Sequence, residues 1–116
     1  MRHRAVFVIL ICLAGACAAD MVLGKLGTRP MHTDEAVHAW KLGDLIERND
    51  YRYDPNEYHG PTLNYLTLPI ALARGQDSYA ELDEVTLRLV PAICAVALVL
   101  ATMLLLHREI YFAGRA

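Results

Sequence analysis

Hydrophobic positions along this chain fall into two long runs separated by a polar stretch. Residues 5–23 form the first run, and residues 89–106 form the second with only Cys94 and Thr102 as mildly polar members. A helix needs about 20 mostly apolar residues to cross a bilayer core, and each run approaches that length. The pattern therefore predicts an all-α integral membrane chain. A short N-terminus (1–4) precedes transmembrane helix 1 (5–23), a loop (24–84), transmembrane helix 2 (85–106) and a short tail (107–116).

Within the loop the hydrophobic period becomes helical rather than continuous. Thr33 reads as an N-cap, with Asp34 and Glu35 in the first turn of a helix over residues 34–48. On a helical wheel Asp34, His38, Lys41 and Arg48 share a polar face interrupted by Leu45. Ala36, Ala39, Trp40, Leu42, Gly43 and Ile46 cover the other face. Such an amphipathic helix is suited to lie along a membrane surface, with Trp40 at headgroup level. Residues 49–56 are rich in turn formers, and Gly60-Pro61 opens a second helix over residues 61–73. Pro69 should break or kink that helix and Gly75 should end it. Ser78-Tyr79-Ala80-Glu81 has the capping-box pattern and predicts a third helix that runs into the second span, kinked at Pro91.

Composition sharpens this picture. The chain has 116 residues, 55% hydrophobic, and a formal net charge of -2, with no basic run to suggest nucleic-acid binding. Cys12, Cys17 and Cys94 all lie inside apolar runs, so their positions give no disulfide framework and no metal-type spacing. Arg2 and Arg4 before an apolar stretch ending in Ala16-Cys17-Ala18 also fit a cleaved signal peptide. Apolar character continues past that site to Leu23, and a second spanning run follows, which favours a retained span. Arg2 and Arg4 flank one span, while Arg108 and Arg115 flank the other. The positive-inside rule then places both termini in the cytoplasm of a multi-pass plasma-membrane protein, and the loop outside.

Three constellations could carry chemistry. Asp34 and Glu35 begin a helix beside the bilayer, where they would complement the helix dipole or serve as a general base or metal ligand. His32, Asp34, Glu35 and His38 resemble a zinc-protease helix only loosely, since just His38 is correctly placed. His59, before the Gly60-Pro61 helix start, could join the first amides of that helix in an anion site. Arg88, at the outer end of the second span, would either snorkel to headgroups or bind an anionic headgroup.

Taken in order, these blocks resemble the start of the C-type (GT-C) membrane glycosyltransferases. That superfamily includes the protein O-mannosyltransferases and the aminoarabinose transferases. The resemblance rests on Thr33-Asp34-Glu35-Ala36-Val37-His38-Ala39, His59-Gly60-Pro61-Thr62-Leu63-Asn64-Tyr65 and Arg88-Leu89-Val90-Pro91-Ala92. It looks closest to the flippase-activity-associated group of archaeal glycosylation loci. The resemblance implies an N-terminal fragment of a multi-span fold, with two juxtamembrane helices in its first extracytoplasmic loop. It further implies a polyprenyl-phosphate-linked sugar as donor, and Asp34 as catalytic base with Glu35 as its partner. His38, His59 and Arg88 become candidate substrate-binding residues. Many aminoarabinose-type members have Lys-Pro-Pro where this chain has His59-Gly60-Pro61, so a titratable cation replaces a permanent one. Most of this group need no metal, and none is expected here, although a divalent ion at Asp34 is compatible with some branches. The expected partners are the bilayer, the lipid-linked sugar and the remainder of the same fold, without which the fragment should be inactive. The alternative is a non-enzymatic two-span adaptor or subunit.

Overall fold

Four α-helices and one turn of 3₁₀ helix account for the regular structure in a computed structural model that describes residues 2–56 and 60–113, with side chains from residue 6 to residue 108. The α-helices are α1 (Arg2–Leu23), α2 (Thr33–Arg48), α3 (Pro61–Ala73) and α4 (Glu84–Ala113), and the 3₁₀ turn is Tyr79–Glu81. No strand occurs among the described residues. Val6–Leu23 of α1 and Glu84–Arg108 of α4 are long and apolar enough to cross a membrane. The chain divides into two units. One contains α1 and α4 from Pro91 onward, and the other runs Leu26–Val90.

The first unit is an antiparallel helix pair. Phe7 stacks on His107 with ring centroids 3.6 Å apart, and Gly15 lies where a Cβ would come within 3.0 Å of Leu100 Cδ2. Small residues at such a crossing let two apolar helices approach closely without hydrogen bonds between them. Leu10, Leu13, Leu98, Leu104 and Leu105 all face outward, as a lipid-facing surface requires. Thr102 satisfies its hydroxyl internally by donating to the Leu98 carbonyl at 2.8 Å.

The second unit has a small apolar core and an unusual share of buried polar side chains. Ala39, Leu42, Ala71 and Leu87 form the core, with Met31, Ile46, Leu68 and Leu82 packed against it. His38, Lys41, Asn64, Thr67, Gln76, Thr86 and Arg88 are also buried. Gly43 admits the Tyr79 side chain, because a Cβ there would lie 2.7 Å from Tyr79 Cβ. Glu47 reinforces the same contact by accepting the Tyr79 N–H at 2.7 Å.

Three local expectations need correction. The N-cap of α2 is His32 rather than Thr33: its Nδ1 accepts the Asp34 N–H at 3.4 Å, while Glu35 accepts the His32 N–H at 2.9 Å. Sequence pattern favours Thr for this role, but the Glu35 carboxylate selects the residue three positions before it. The second correction concerns the face α2 buries. His38 and Lys41 point inward and Trp40 points outward, because the buried arc of the helix centres on Leu42 and takes in positions 38, 39, 41, 43 and 45. Third, the Ser78 start yields only one 3₁₀ turn. Leu82 is extended (φ -65, ψ 129), and Asp83 restarts the helix by accepting the Thr86 N–H at 2.8 Å. Pro69 and Pro91 are both accommodated inside continuous helices.

Candidate functional site

Arg88 projects from the first turns of α4, and five hydrogen bonds converge on its guanidinium. Nε donates to Glu35 Oε1 at 2.7 Å and Nη2 to Glu35 Oε2 at 2.6 Å, a bidentate pair. Nη1 donates to the Leu26 carbonyl and, at 3.1 Å, to that of Arg29; Nη2 also reaches the Pro30 carbonyl at 3.1 Å. A guanidinium has five N–H donors, so every one is engaged within the protein. Segment 26–30 is irregular and cannot satisfy its own carbonyls by helix bonds. Arg88 does so instead, while fixing Glu35 and with it the first turn of α2.

The cation acts directly on Glu35. The Arg88 hydrogen bond is the main cause that holds the Glu35 carboxyl down to about 2, from an ordinary 4.5. Partial burial opposes this, and the His32 N–H adds to it. Glu35 therefore remains a carboxylate through the whole physiological range.

Asp34 behaves differently although it is the adjacent residue. Its side chain is 73% exposed and lies 3.6 Å from His32 Nδ1 at the open end of α2. Of the residues singled out in the sequence, the structure thus unites Glu35 with Arg88 and leaves Asp34 at the surface. His38 lies in the interior at 6% exposure, away from the polar face assigned to it. His59 falls outside the described residues. Among the described residues no group of three His, Cys, Asp or Glu side chains is placed to hold a metal ion.

Two arrangements escaped sequence reading. One is a cleft of about 390 Å³ between the C-terminal half of α2 and the 50–54 segment, bounded by Trp40, Lys41, Tyr51 and charged residues of both signs. Each wall carries its own ion pair, Arg48 with Asp44 at 3.2 Å within α2 and Arg52 with Asp50 at 3.1 Å within the 50–54 segment. Tyr51 also rests 5.7 Å from Tyr65 of α3, centroid to centroid. The alternating acids and bases in residues 44–54 were the available signal, but they read equally as a solvated turn.

The second arrangement joins the end of α3 to the start of α4. Arg74 pairs bidentately with Asp83 at 2.7 and 3.0 Å, and also donates to Thr86 Oγ1 at 2.5 Å. The Thr86 hydroxyl in turn donates a hydrogen bond to Gln76 Oε1. Burial works to raise the Asp83 carboxyl, but the bonds from Arg74 and Thr86 outweigh it and lower the group below its usual range.

Comparison with protein-family models, curated proteins and solved structures finds no match to this chain. The functional reading rests on the residues themselves.

Proposed function

We propose that the chain forms the N-terminal portion of a C-type membrane glycosyltransferase, with Asp34 as its general base. In this reading Asp34 takes the proton of an acceptor hydroxyl as that oxygen attacks the anomeric carbon of a polyprenyl-phosphate-linked sugar. The new bond joins acceptor oxygen to the anomeric carbon, and the bond from that carbon to the phosphate breaks. Polyprenyl phosphate leaves with the bonding pair, and Asp34 then returns its proton to water.

One observation carries the reading: the acidic pair is divided between two tasks. Glu35 is spent on Arg88, which fixes the start of α2, and that leaves Asp34 exposed on a rigid first turn. A base needs both access and a fixed mount. Arg88 becomes a positioning residue, because it has no donor left for a phosphate. Stabilisation of the leaving phosphate then falls to His59 and the opening amides of α3, whose cap Gly60 supplies no side-chain bond to them. Basic residues at both ends support cytoplasmic termini and an extracytoplasmic site in the plasma membrane.

The test is Asp34→Asn in the whole enzyme, assayed with a polyprenyl-phosphate sugar. A fall in kcat of about 10²–10⁴-fold with unchanged thermal stability is expected. Full activity in that variant would exclude Asp34 as the base. The second reading, a non-enzymatic two-span adaptor, is favoured by the way Glu35 and Arg88 satisfy each other, as a purely structural loop requires. It predicts no binding of the lipid-linked sugar.

A further inference from the structure

The cleft beside the C-terminal half of α2 lies well apart from Asp34. Asp44, on its wall, follows Asp34 by about 15 Å along the helix axis. The backbone builds this cleft. Asn49 closes α2 in the left-handed conformation (φ 51, ψ 33), and its N–H bonds to the Asp44 and Leu45 carbonyls. The Asp50 N–H reaches the Asp44 carbonyl at 3.5 Å, so the chain folds back over the helix it has just left. The enclosed volume of about 390 Å³ falls within the range of about 300–1,000 Å³ common for small-molecule sites.

Its lining combines two aromatic rings with balanced charge. Trp40 is 54% exposed at the cleft, an unusual position for so large an apolar ring. Tyr51 is held from two sides: Lys41 Nζ stands 5.9 Å from its ring centroid, and the Tyr65 ring lies 5.7 Å away at a tilt of 53°. An aromatic wall fixed in advance loses little freedom when a ligand arrives. Three cations, Lys41, Arg48 and Arg52, face three carboxylates, Asp44, Asp50 and Asp54. Arg48 pairs with Asp44 through Nη1 and Arg52 with Asp50 through Nε, while both arginine side chains remain largely exposed. Asp54 Oδ1 accepts the Asn56 N–H at 2.8 Å, which fixes that carboxylate at the rim.

This balance selects the chemistry of the occupant. A phosphate or carboxylate entering the cleft would be repelled by three carboxylates, and a cation by three basic groups. A wholly apolar molecule would strip water from all six and return no hydrogen bonds. A neutral polyol meets neither objection. Carboxylates have about four lone-pair sites and guanidinium groups five donors, so the existing ion pairs keep capacity for hydroxyl groups as donors and acceptors. The C–H face of a pyranose ring is apolar with partial positive charge, and it lies favourably on the negative face of an aromatic ring. We propose that this cleft binds a neutral pyranose sugar or short oligosaccharide. The sugar ring stacks on Trp40 or Tyr51, and its hydroxyl groups bridge the Arg48–Asp44 and Arg52–Asp50 pairs. The proposal requires neither Asp34 as a base nor any transferase activity.

Trp40 is the sole tryptophan of the chain, so its fluorescence reports on the cleft directly. The full chain is reconstituted into phosphatidylcholine vesicles, free of glycoside detergents, and titrated with the methyl glycosides of glucose, galactose, mannose and N-acetylglucosamine. At least one should change Trp40 emission saturably and protect it from acrylamide, with a midpoint on the order of millimolar. Inorganic phosphate and choline, as anionic and cationic probes, should give no saturable change. Tyr51→Ala should weaken the sugar response about tenfold, with circular dichroism confirming the fold. Arg52→Ala, at a side chain 88% exposed, removes a ligand contact without disturbing the fold and should weaken it several-fold. Asp34→Asn should leave the midpoint unchanged, which separates this site from the base. No saturable response to any of the four glycosides would overturn the proposal. So would a response to phosphate or choline alone, or a sugar midpoint unmoved by Arg52→Ala. Quenching of Trp40 by headgroup-brominated lipid, undiminished by sugar, would overturn it in favour of a tryptophan seated in the membrane.

Discussion

Among the described residues of the loop unit are two bidentate arginine–carboxylate pairs, and they do different work. Arg88 with Glu35 joins positions 53 residues apart, and its side chain is only 9% exposed. Arg74 with Asp83 joins positions 9 residues apart at 35% and 40% exposure. The first cation also accounts for three backbone carbonyls of a segment with no regular structure. The second is assisted by neutral hydroxyl and amide groups, Thr86 and Gln76. Identical ion-pair chemistry thus acts as a long-range anchor in one place and as a local splice between successive helices in the other. The difference lies in what each cation leaves behind when removed.

The largest effect should come from Arg88→Met. Breaking a buried pair by removing one partner typically costs about 3–5 kcal/mol, because the other charge and its former acceptors stay desolvated. Thermal unfolding in lipid nanodiscs should show a loss of this order. Adding Glu35→Gln to that variant should cost less than the sum of the single changes, and strict additivity would mean the two residues do not act as a unit.

Acid offers a gentler break. Folded Glu35 titrates at about 2, below its ordinary 4.5. A depressed carboxyl contributes stability that is fully present above about pH 4.5 and lost as pH falls through about 2. The shift corresponds to at most about 3 kcal/mol, an upper limit for a group that is one-quarter exposed. Wild type should weaken across that window, and Glu35→Gln should show a shallower acid limb when both are followed by circular dichroism.

Arg74→Ala should cost less, about 1 kcal/mol, since a partly exposed pair is screened and water replaces the lost bonds. A loss equal to that of Arg88→Met would erase the distinction between anchor and splice. Asp34→Asn should be the mildest, within about 0.5 kcal/mol of wild type, as for most exposed substitutions. The contrast between adjacent residues then becomes a direct experimental comparison: Glu35→Gln strongly destabilising, Asp34→Asn nearly neutral.

Much of the architecture was legible because it depends on composition over long windows. Two apolar runs and helical periodicity between them indicate an all-helical chain with two candidate spans. Pro61 and Gly75 mark the ends of α3 for simple backbone reasons, and Gly75 does adopt φ +72. What a single sequence concealed was direction. The helical wheel puts His38 and Lys41 on the polar face, yet both side chains are buried. Asp34 and Glu35 look equivalent as letters. The local capping bond to His32 and the arrival of Arg88 from the far end of the loop both single out Glu35, and nothing local encodes the second. The 390 Å³ cleft was hidden for the same reason, being made by a turn folding back on α2.

The five bonds around Arg88 also set an order of events. Carbonyls at 26, 29 and 30 and the Glu35 carboxylate belong to the early part of the loop, whereas their common donor comes 53 to 62 residues later. Until residue 88 has been synthesised, the three carbonyls lack this donor and Glu35 has only the local His32 N–H. Closing so long an interval carries an entropy cost that is repaid in one step when the cation docks. Maturation of the loop is therefore tied to the appearance of α4, so a ribosome that stalls before it leaves the acidic helix start unanchored.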